Sequence, residues 1–319
     1  MERPEVSVVI PCHNAAGWVG EAVRSALDQA GVRREVIVVD DGSTDGTAEK
    51  IEEIFGERVH LIRSGHAGVS RARTLGTERA MGDFLQYLDS DDLLAPGKFY
   101  RQVEALREKG GEVAYGGWQE FVREEDGRHR MGAVRDEGIG ERSETALLTR
   151  FWSPPAAYLF ARRIVEKVGG WHPELPVIQD ARFAWECARR GGRFVRTPGV
   201  TAFYHRNAGG SLSTRDRRAF LSDCLRNAVE VQGIWEQEGG VSPERRRALL
   251  EAFAHVARGS FDPFPDLFEA AWRRLEALSP NWRPDVPPAL ALLSRCIGYR
   301  RAERVASIVR RLKGEEGRS

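Results

Sequence analysis

The chain has 319 residues, of which 48 are basic and 47 are acidic, so its formal net charge is +1. This balance excludes the basic footprint of a general nucleic-acid-binding protein, and we expect no nucleic acid partner. Hydrophobic residues make up 41% of the chain and charged residues 30%, which is typical of a soluble globular protein and excludes an intrinsically disordered one.

The four cysteines, Cys12, Cys187, Cys224 and Cys296, are far apart and form no CxxC pair. This spacing indicates neither a zinc site nor a disulfide framework, and it favours a reducing compartment. The first apolar run, residues 6–10, is too short for the core of a signal peptide. No other run reaches the roughly 20 apolar residues of a membrane span, so we expect a cytoplasmic protein.

Apolar runs alternate with helical patterns along the first 90 residues. The runs are residues 6–10, 35–39, 59–62 and 84–88, and the helical patterns are residues 18–29, 47–55 and 69–80. Near-continuous apolar strands separated by helices are typical of parallel strands covered on both faces. We therefore predict a Rossmann-like α/β sheet, whose ligands bind beyond the carboxyl ends of the strands.

The pattern changes after a further apolar run at residues 113–118. Residues 123–141 are charged and rich in turn formers, which predicts a flexible surface loop, with a flap over an acceptor as the alternative. Regular structure resumes at residues 158–168, and residues 180–190 have a helical pattern. From Asp216 the pattern is almost wholly helical, so we predict an α/β domain over residues 1–215 and a helical region over residues 216–319.

Polar clusters follow the first four predicted strands. They are Pro11-Cys12-His13-Asn14, residues 40–47, residues 65–73 and Asp89-Ser90-Asp91-Asp92. Because these strands are expected to be parallel, the clusters should meet at one edge of the sheet. A carboxylate after the second strand can accept hydrogen bonds from a base or a ribose, while Arg71 and Arg73 can bind phosphate or a base edge.

The acidic cluster after the fourth strand predicts a metal site. If extended geometry continues to Asp91, the carboxylates of Asp89 and Asp91 face the same side. Hard oxygen ligands of this kind suit Mg²⁺ or Mn²⁺, which complete their shells with substrate phosphates. Two alternatives stay open: the acidic cluster is only an N-cap for the helix near Pro96, and residues 40–47 are only a turn with an N-cap.

Four ordered motifs resemble those of the family 2 glycosyltransferases. They are residues 6–14 (VSVVIPCHN), 38–47 (VVDDGSTDGT), 68–73 (GVSRAR) and 88–92 (LDSDD), within a likeness that covers about the first two-thirds of the chain. The resemblance implies a GT-A fold. It also implies an inverting transfer from a nucleoside diphosphate sugar, usually UDP-linked, with a divalent cation, Mn²⁺ or Mg²⁺. The acceptor would be a glycan or a lipid-linked precursor.

The resemblance also implies roles for single residues. Pro11 and Asp41 would line the base pocket with Arg73 nearby, and Asp91 would be the direct metal ligand with Asp89 in support. The other expected nucleotide-binding residues are His13, Asn14, Arg71, Asp89 and Ser90.

The family places a catalytic carboxylate in an acidic pair after a Gly-Gly-aromatic turn. Here Gly169-Gly170-Trp171 precedes Gln179-Asp180, so Asp180 matches the base, whereas Gln179 departs from the usual acidic neighbour. An inverting displacement needs a carboxylate to take the proton of the acceptor hydroxyl. The alternative is that Asp180 only caps a helix.

Two further residues are predicted to contact the acceptor. Trp171 stands on the turn beside the expected base, where a ring can stack on a sugar. His205 lies in a segment that resembles the end of the GT-A domain, with Asn207 where a histidine is common. A satisfied, half-buried histidine is the alternative for His205.

The tail, residues 295–313, places seven basic residues among apolar ones. Such a basic amphipathic helix can lie on the cytoplasmic face of an anionic membrane. The alternative is a helix that packs on its own domain. Other functions also stay open: a nucleotide-sugar-binding module without turnover, and a nucleotidyltransferase. The expected Gly-rich loop of a nucleotidyltransferase and the GxGxxG motif of a dinucleotide oxidoreductase are both missing after the first strand.

Overall fold

The computed structural model describes residues 3–206, 212–285 and 287–312. The chain divides into two units, residues 1–211 and residues 212–319. This division lies four residues before the boundary that the helical pattern predicts, and Asn207 lies outside the described residues.

The first unit contains a mixed sheet. Its strands are β1 Val6–Cys12, β2 Arg34–Asp41, β3 His60–Ser64, β4 Phe84–Tyr87, β5 Leu93–Leu94, β6 Val113–Arg123, β7 His129–Arg135, β8 Tyr158–Ala161 and β9 Phe194–His205. The order across the sheet is β3-β2-β1-β4-β8-β6-β9-β5, and β7 pairs with β6. The first four strands are mutually parallel, as the alternating pattern predicts. Their carboxyl ends therefore lie at one edge of the sheet.

Helices cover this sheet. They are α1 Val19–Leu27, α2 Thr47–Phe55, α3 Val69–Arg79, α4 Lys98–Lys109, α5 Ser143–Thr149, α6 Arg162–Val168 and α7 Gln179–Arg189. Every residue of β1 is buried, which explains its near-continuous apolar run. Helix α3 approaches β1 so closely that a Cβ added at Gly76 would lie 2.4 Å from Cγ1 of Val9. The close approach is possible because this position has no side chain.

The charged stretch predicted as a loop contains a strand instead. Residues 129–135 form β7, which pairs antiparallel with β6, so the loop prediction is wrong there. All seven side chains of β7 are exposed, and an exposed edge strand lacks the apolar alternation that reveals strands in a sequence. The turn signal was present: Asp126 precedes Gly127, which has φ of +81°, as hairpin turns require.

A buried lysine fixes the segment that precedes β8. Lys98 is fully buried, and its Nζ donates to Tyr158 O at 2.9 Å and to the side chains of Gln86 and Gln102. Gln102 Nε2 in turn donates to Ala157 O at 3.0 Å. Burial holds the pKa of Lys98 well below its usual range. This network holds the backbone that leads from Trp152 towards the middle of the sheet.

The second unit is helical in its described residues. Its helices are α8 Leu212–Arg215, α9 Arg217–Gln237, α10 Pro243–Ser260, α11 Pro265–Leu278, α12 Pro288–Ile297 and α13 Tyr299–Leu312. Asp216 caps α9 by accepting from Ala219 N at 2.8 Å, and Ser242 caps α10 by accepting from Arg245 N at 3.2 Å. Helix α13 leaves three apolar side chains exposed, Val305, Ile308 and Val309. Among the described helices, none combines the length and the apolarity needed to cross a membrane.

Candidate functional site

The first two polar clusters are joined by hydrogen bonds at the carboxyl edge of the sheet. Asn14, in the left-handed region with φ of +49°, accepts from Thr44 N at 2.9 Å through its side-chain oxygen. Asp45 accepts from Ala16 N at 3.0 Å, and Thr47 Oγ1 accepts from Ala15 N at 2.8 Å. A purely structural role, the alternative for residues 40–47, therefore accounts for Thr44, Asp45 and Thr47. Their hydrogen bonds hold two loops together. This role does not account for Asp41.

Asp41 lies buried at the end of β2 and ties the third cluster to the first two. Its carboxylate accepts from Ala67 N at 2.9 Å and from Gly68 N at 2.8 Å. The Nδ1 atoms of His13 and His66 lie 2.9 and 3.2 Å from Asp41 O, and the two imidazole rings are 4.3 Å apart. His66 was not singled out from the sequence, although it belongs to the third cluster.

The remaining residues that were predicted to bind the nucleotide differ in exposure. Pro11 is buried within β1 opposite Val39, and Ser90 is half-buried. Arg71 is exposed on α3, where its guanidinium lies 3.7 Å from the carboxylate of Glu78. Arg71 therefore lies on the solvent side of its helix, paired with an acid of the same helix.

Arg73 is 1% exposed, and it contacts two of the predicted site residues. Its Nη2 donates to Asp89, and its guanidinium lies over the ring of Trp171, 4.3 Å from the centroid. Within the described residues, Nε and Nη1 of Arg73 are buried without a hydrogen-bond partner. A buried, partly unpaired guanidinium is suited to an anionic ligand.

Trp171, predicted to contact the acceptor, is packed between two side chains. Phe183 stacks on its indole ring with centroids 4.2 Å apart and planes 6° apart, while Arg73 lies over the ring at a similar distance. Two groups this close to one centroid must cover opposite faces. The side chain is only 6% exposed, so neither face is open to a sugar.

The acidic cluster forms a turn, and the expected extended geometry is wrong. Strand β4 ends at Tyr87, and Asp92 N donates to Asp89 O at 3.1 Å. The turn separates the carboxylates, because Asp89 bonds Arg73 whereas Asp91 lies beside His205. Asp89 therefore already has a cationic partner, while the Asp91 side chain is 40% exposed.

Asp92, the last residue of the acidic cluster, does not begin the next helix. Helix α4 begins at Lys98 after Gly97, so the acidic cluster is not its cap. Asp92 is buried instead, and its Oδ1 accepts from His205 N at 2.9 Å. Burial, and then the charges of Asp91 and Asp89, raise the pKa of Asp92 well above its usual range.

His205 lies on the Asp91 side of the site, packed against the rings of Trp18 and Phe121 at 4.4 and 5.0 Å. Its side chain is 2% exposed, which does not suit the predicted acceptor contact. Its Nδ1 is 3.7 Å from Asp91 Oδ2 and has no hydrogen-bond partner among the described residues. The alternative of a satisfied histidine is therefore also wrong.

Asp91 and His205 fit one small divalent cation. Neighbouring ligand atoms around an octahedral ion with bonds of about 2.1 Å lie about 3 Å apart, so the 3.7 Å between Asp91 Oδ2 and His205 Nδ1 needs only a small rotation of the exposed Asp91 side chain to hold a shared ion. Across the described ranges, no group of three or more His, Cys, Asp or Glu side chains is arranged to hold a metal. An ion that takes the rest of its shell from substrate phosphates and water does not need such a group.

Asp180 lies in the first turn of α7, where it accepts from Trp152 Nε1 at 2.9 Å through Oδ2. The cap position belongs to Ile178, so the capping alternative is wrong. Burial raises the pKa of the Asp180 carboxyl, whereas the charge of Arg73 and the hydrogen bond from Trp152 oppose this rise. Arg73 therefore acts electrostatically on both Asp89 and Asp180.

An aromatic group that the sequence did not reveal lies beside these acids. Trp118, Trp152 and Tyr204 form three edge-on pairs, each with ring centroids 5.5 Å apart. Burial, and then the charges of Asp92 and Asp89, raise the pKa of Tyr204. The link from Trp152 to Asp180 spans 28 residues and has no local signal in the sequence.

Comparison with known proteins identifies the family and supports the fold. The family model described as "Glycosyl transferase family 2" matches residues 7–167. The protein named as teichuronic acid biosynthesis glycosyltransferase TuaG, from Bacillus subtilis (strain 168), is 36% identical over 36% of this chain and 47% of its own length. Succinoglycan biosynthesis protein ExoO, from Rhizobium meliloti (strain 1021), is 38% identical over 35% of this chain and 32% of its own length. The chain thus spans less than half the length of these two relatives.

Two solved structures share the fold. S. aureus TarS 1–349 has a TM-score of 0.62 at 18% identity, covering 95% of this chain and 91% of its own. Mannosyltransferase PcManGT from Pyrobaculum calidifontis, solved with GDP-Man and Mn²⁺, has a TM-score of 0.53 at 21% identity, covering 98% and 88%. The predicted α/β fold of the GT-A type with appended helices is confirmed. With its family model matched over half its length, this chain belongs to glycosyl transferase family 2.

Proposed function

We propose that this protein transfers a sugar, with inversion, from a nucleoside diphosphate sugar to an acceptor hydroxyl, using a divalent cation. The observation that carries the proposal is the position of Arg73. Its guanidinium bonds Asp89, and its charge opposes the rise that burial causes in the pKa of Asp180, so one buried cation acts on both Asp89 and the predicted base. Such an arrangement can hold a charged donor next to a group that accepts a proton.

The donor base is assigned to the edge formed by β1 and β2. The buried carboxylate of Asp41 and the rings of His13 and His66 lie together there, with Asn14 in the adjoining loop. We propose a UDP-linked donor. S. aureus TarS, whose fold this chain shares, has been solved with UDP and with UDP-GlcNAc.

Asp91 and His205 are the residues that would hold the cation. A bound Mn²⁺ or Mg²⁺ would supply positive charge against the diphosphate as it leaves. The chain contributes the exposed carboxylate of Asp91 and the unpaired Nδ1 of His205, while Asp92 fixes the backbone of His205. Asp89 stays with Arg73, in a supporting role.

Asp180 is the proposed general base. An inverting displacement needs a carboxylate that removes the proton of the acceptor hydroxyl while that oxygen attacks the anomeric carbon opposite the diphosphate. A pKa raised by burial brings the carboxyl closer to neutral pH, where a base is most effective. Trp152 holds Oδ2 by its hydrogen bond and thereby fixes the direction of the carboxylate.

The proposed acceptor is a glycan or a lipid-linked precursor, reached in the cytoplasm at the membrane surface. On α13, exposed Val305, Ile308 and Val309 lie near Arg301 and Arg304, which have no acidic partner in the described chain. Basic amphipathic helices bind anionic lipid surfaces. Sedimentation with vesicles that contain or lack phosphatidylglycerol tests this contact, and equal sedimentation with both would remove it.

A thermal-shift screen of UDP, GDP and TDP, with and without Mn²⁺, tests the donor site, because a ligand that binds only the folded state raises the melting temperature. We expect the largest shift with UDP, increased by Mn²⁺. UDP release from a panel of UDP-sugars then tests turnover. Binding without release from any donor on any acceptor would indicate a binding module, and no shift with any nucleotide would overturn the proposal.

A further inference from the structure

A surface cavity of about 220 Å³ opens beside the residue that bonds the proposed base. Trp152 lines this cavity and also donates to Asp180, so one side chain separates the cavity from the carboxylate. Pockets for drug-sized ligands measure roughly 300–1,000 Å³. The cavity is therefore suited to a single unit of a longer chain.

The walls of the cavity combine aromatic and charged side chains. Trp118 and Trp152 lie edge-on to each other, and Trp152 is 41% exposed, so it presents an open aromatic surface of the kind that sugars contact. The charged wall consists of Arg135, Arg150 and Glu137. Two guanidinium groups against one carboxylate leave a net positive wall.

Arg135, in the β6–β7 hairpin, and Arg150, outside it, both differ from the other arginines of that hairpin. Arg123 lies 3.4 Å from Glu21, Arg128 lies 2.6 Å from Asp126, and Arg130 lies 2.6 Å from Glu124. Among the residues that the structure describes, the guanidinium groups of Arg135 and Arg150 make no hydrogen bond or ion pair. Arg135 ends β7 opposite Trp118, and Arg150 follows α5, so two distant segments bring free guanidinium groups to one cavity.

We infer that this cavity binds a sugar unit of an acceptor that carries phosphate or carboxylate groups, an inference that rests on the proposed glycosyl transfer. Arginine forms paired hydrogen bonds with both oxyanions, which a neutral glycan lacks. Glu137 accepts hydrogen bonds from sugar hydroxyl groups. The acceptor class is thus an anionic glycan. Its anionic group lies against the wall formed by Arg135 and Arg150, and its hydroxyl group approaches Asp180 past Trp152.

Isothermal titration of three probes of matched length tests this inference. The probes are trigalacturonic acid, a glycerol phosphate trimer and neutral maltotriose. We expect one of the anionic trimers to bind about tenfold more tightly than maltotriose, and the better one identifies the oxyanion. Arg135→Gln and Arg150→Gln should each weaken that binding by about tenfold. Arg128→Gln, a matched change at the hairpin turn outside the cavity, should leave it unchanged.

The inference is overturned by equal binding of the three trimers, by binding of none, or by an equal loss in Arg128→Gln. The proposed glycosyl transfer is judged separately, by release of UDP from a UDP-sugar in water, which needs no acceptor. An enzyme that hydrolyses the donor but binds no anionic trimer would retain the proposed function and lose this acceptor assignment.

Discussion

Trp152 Nε1 donates a 2.9 Å hydrogen bond to Asp180 Oδ2, joining the aromatic wall of a surface cavity to the proposed base. The bond stabilises the ionised carboxylate, whereas burial favours the protonated form. The reactivity of Asp180 therefore depends on a residue 28 positions away. This relationship makes the pH dependence of transfer a direct measure of the site.

Replacing Trp152 with phenylalanine should shift the pH profile. The change removes the hydrogen bond that lowers the pKa of Asp180, so that pKa rises further. Because transfer needs the ionised base, activity is lost as pH falls through this pKa, and the acid limb of kcat should move up by about one pH unit. Trp282→Phe, in the helical unit, is the control. An acid limb that stays in place, or moves down, would contradict the role given to Trp152.

Asp180→Asn should lower kcat by about 10²–10⁴-fold, the range that general base catalysis contributes. The amide keeps the shape of the side chain but cannot take a proton, so the thermal shift caused by UDP should be retained. Asp126→Asn, in the exposed hairpin turn, should transfer at the parental rate. Parental kcat in Asp180→Asn would show that another group is the base.

Asp91→Asn should weaken the response to Mn²⁺. Losing one charged ligand should raise the Mn²⁺ concentration for half-maximal activity by about tenfold or more. The shift in melting temperature with UDP alone should stay, while the added shift with Mn²⁺ should shrink. Asp83→Asn, in an exposed ion pair with Arg3, serves as the comparison. If both variants keep the parental Mn²⁺ dependence, Asp91 is not a ligand.

Arg73→Ala should lower the free energy of unfolding by about 2–4 kcal/mol, as measured by urea denaturation. The change removes a buried cation that bonds Asp89 and covers one face of Trp171. Because the Asp89 side chain is only 32% exposed, water can only partly replace the lost guanidinium there. Arg71→Ala, two residues away on the exposed side of α3, should change stability by no more than about 0.5 kcal/mol. If Arg73→Ala and Arg71→Ala lowered the free energy of unfolding equally, the contacts of Arg73 with Asp89 and Trp171 would not stabilise the fold.

Gly76→Ala should destabilise the protein by about 1–3 kcal/mol. The added methyl group would lie 2.4 Å from Val9 Cγ1, and overpacking of this kind outweighs the better helix propensity of alanine. Gly233→Ala in α9 is the matched control, because no atom lies within 4 Å of the new Cβ. There we expect stabilisation of up to about 1 kcal/mol, and a stable Gly76→Ala would contradict the close packing of α3 on β1.

The parallel strands and the sheet edge that carries the site are predictable from the amino-acid sequence. Near-continuous apolar runs, each followed by a polar cluster, are typical of strands buried on both faces, and parallel strands direct their carboxyl ends to one side. The family follows from the same four motifs. These features are local, because each depends on residues that are consecutive in the chain.

Which side chains meet at that edge depends on the folded chain and not on local sequence. Asp89 bonds Arg73 and Asp91 lies beside His205 because the chain turns after β4, whereas an extended segment would have placed both carboxylates together. The exposed strand β7 carries no apolar alternation, so its pairing with β6 was not predictable from pattern. Contacts such as His205 N to Asp92 span 113 residues, and their geometry depends on packing across the sheet.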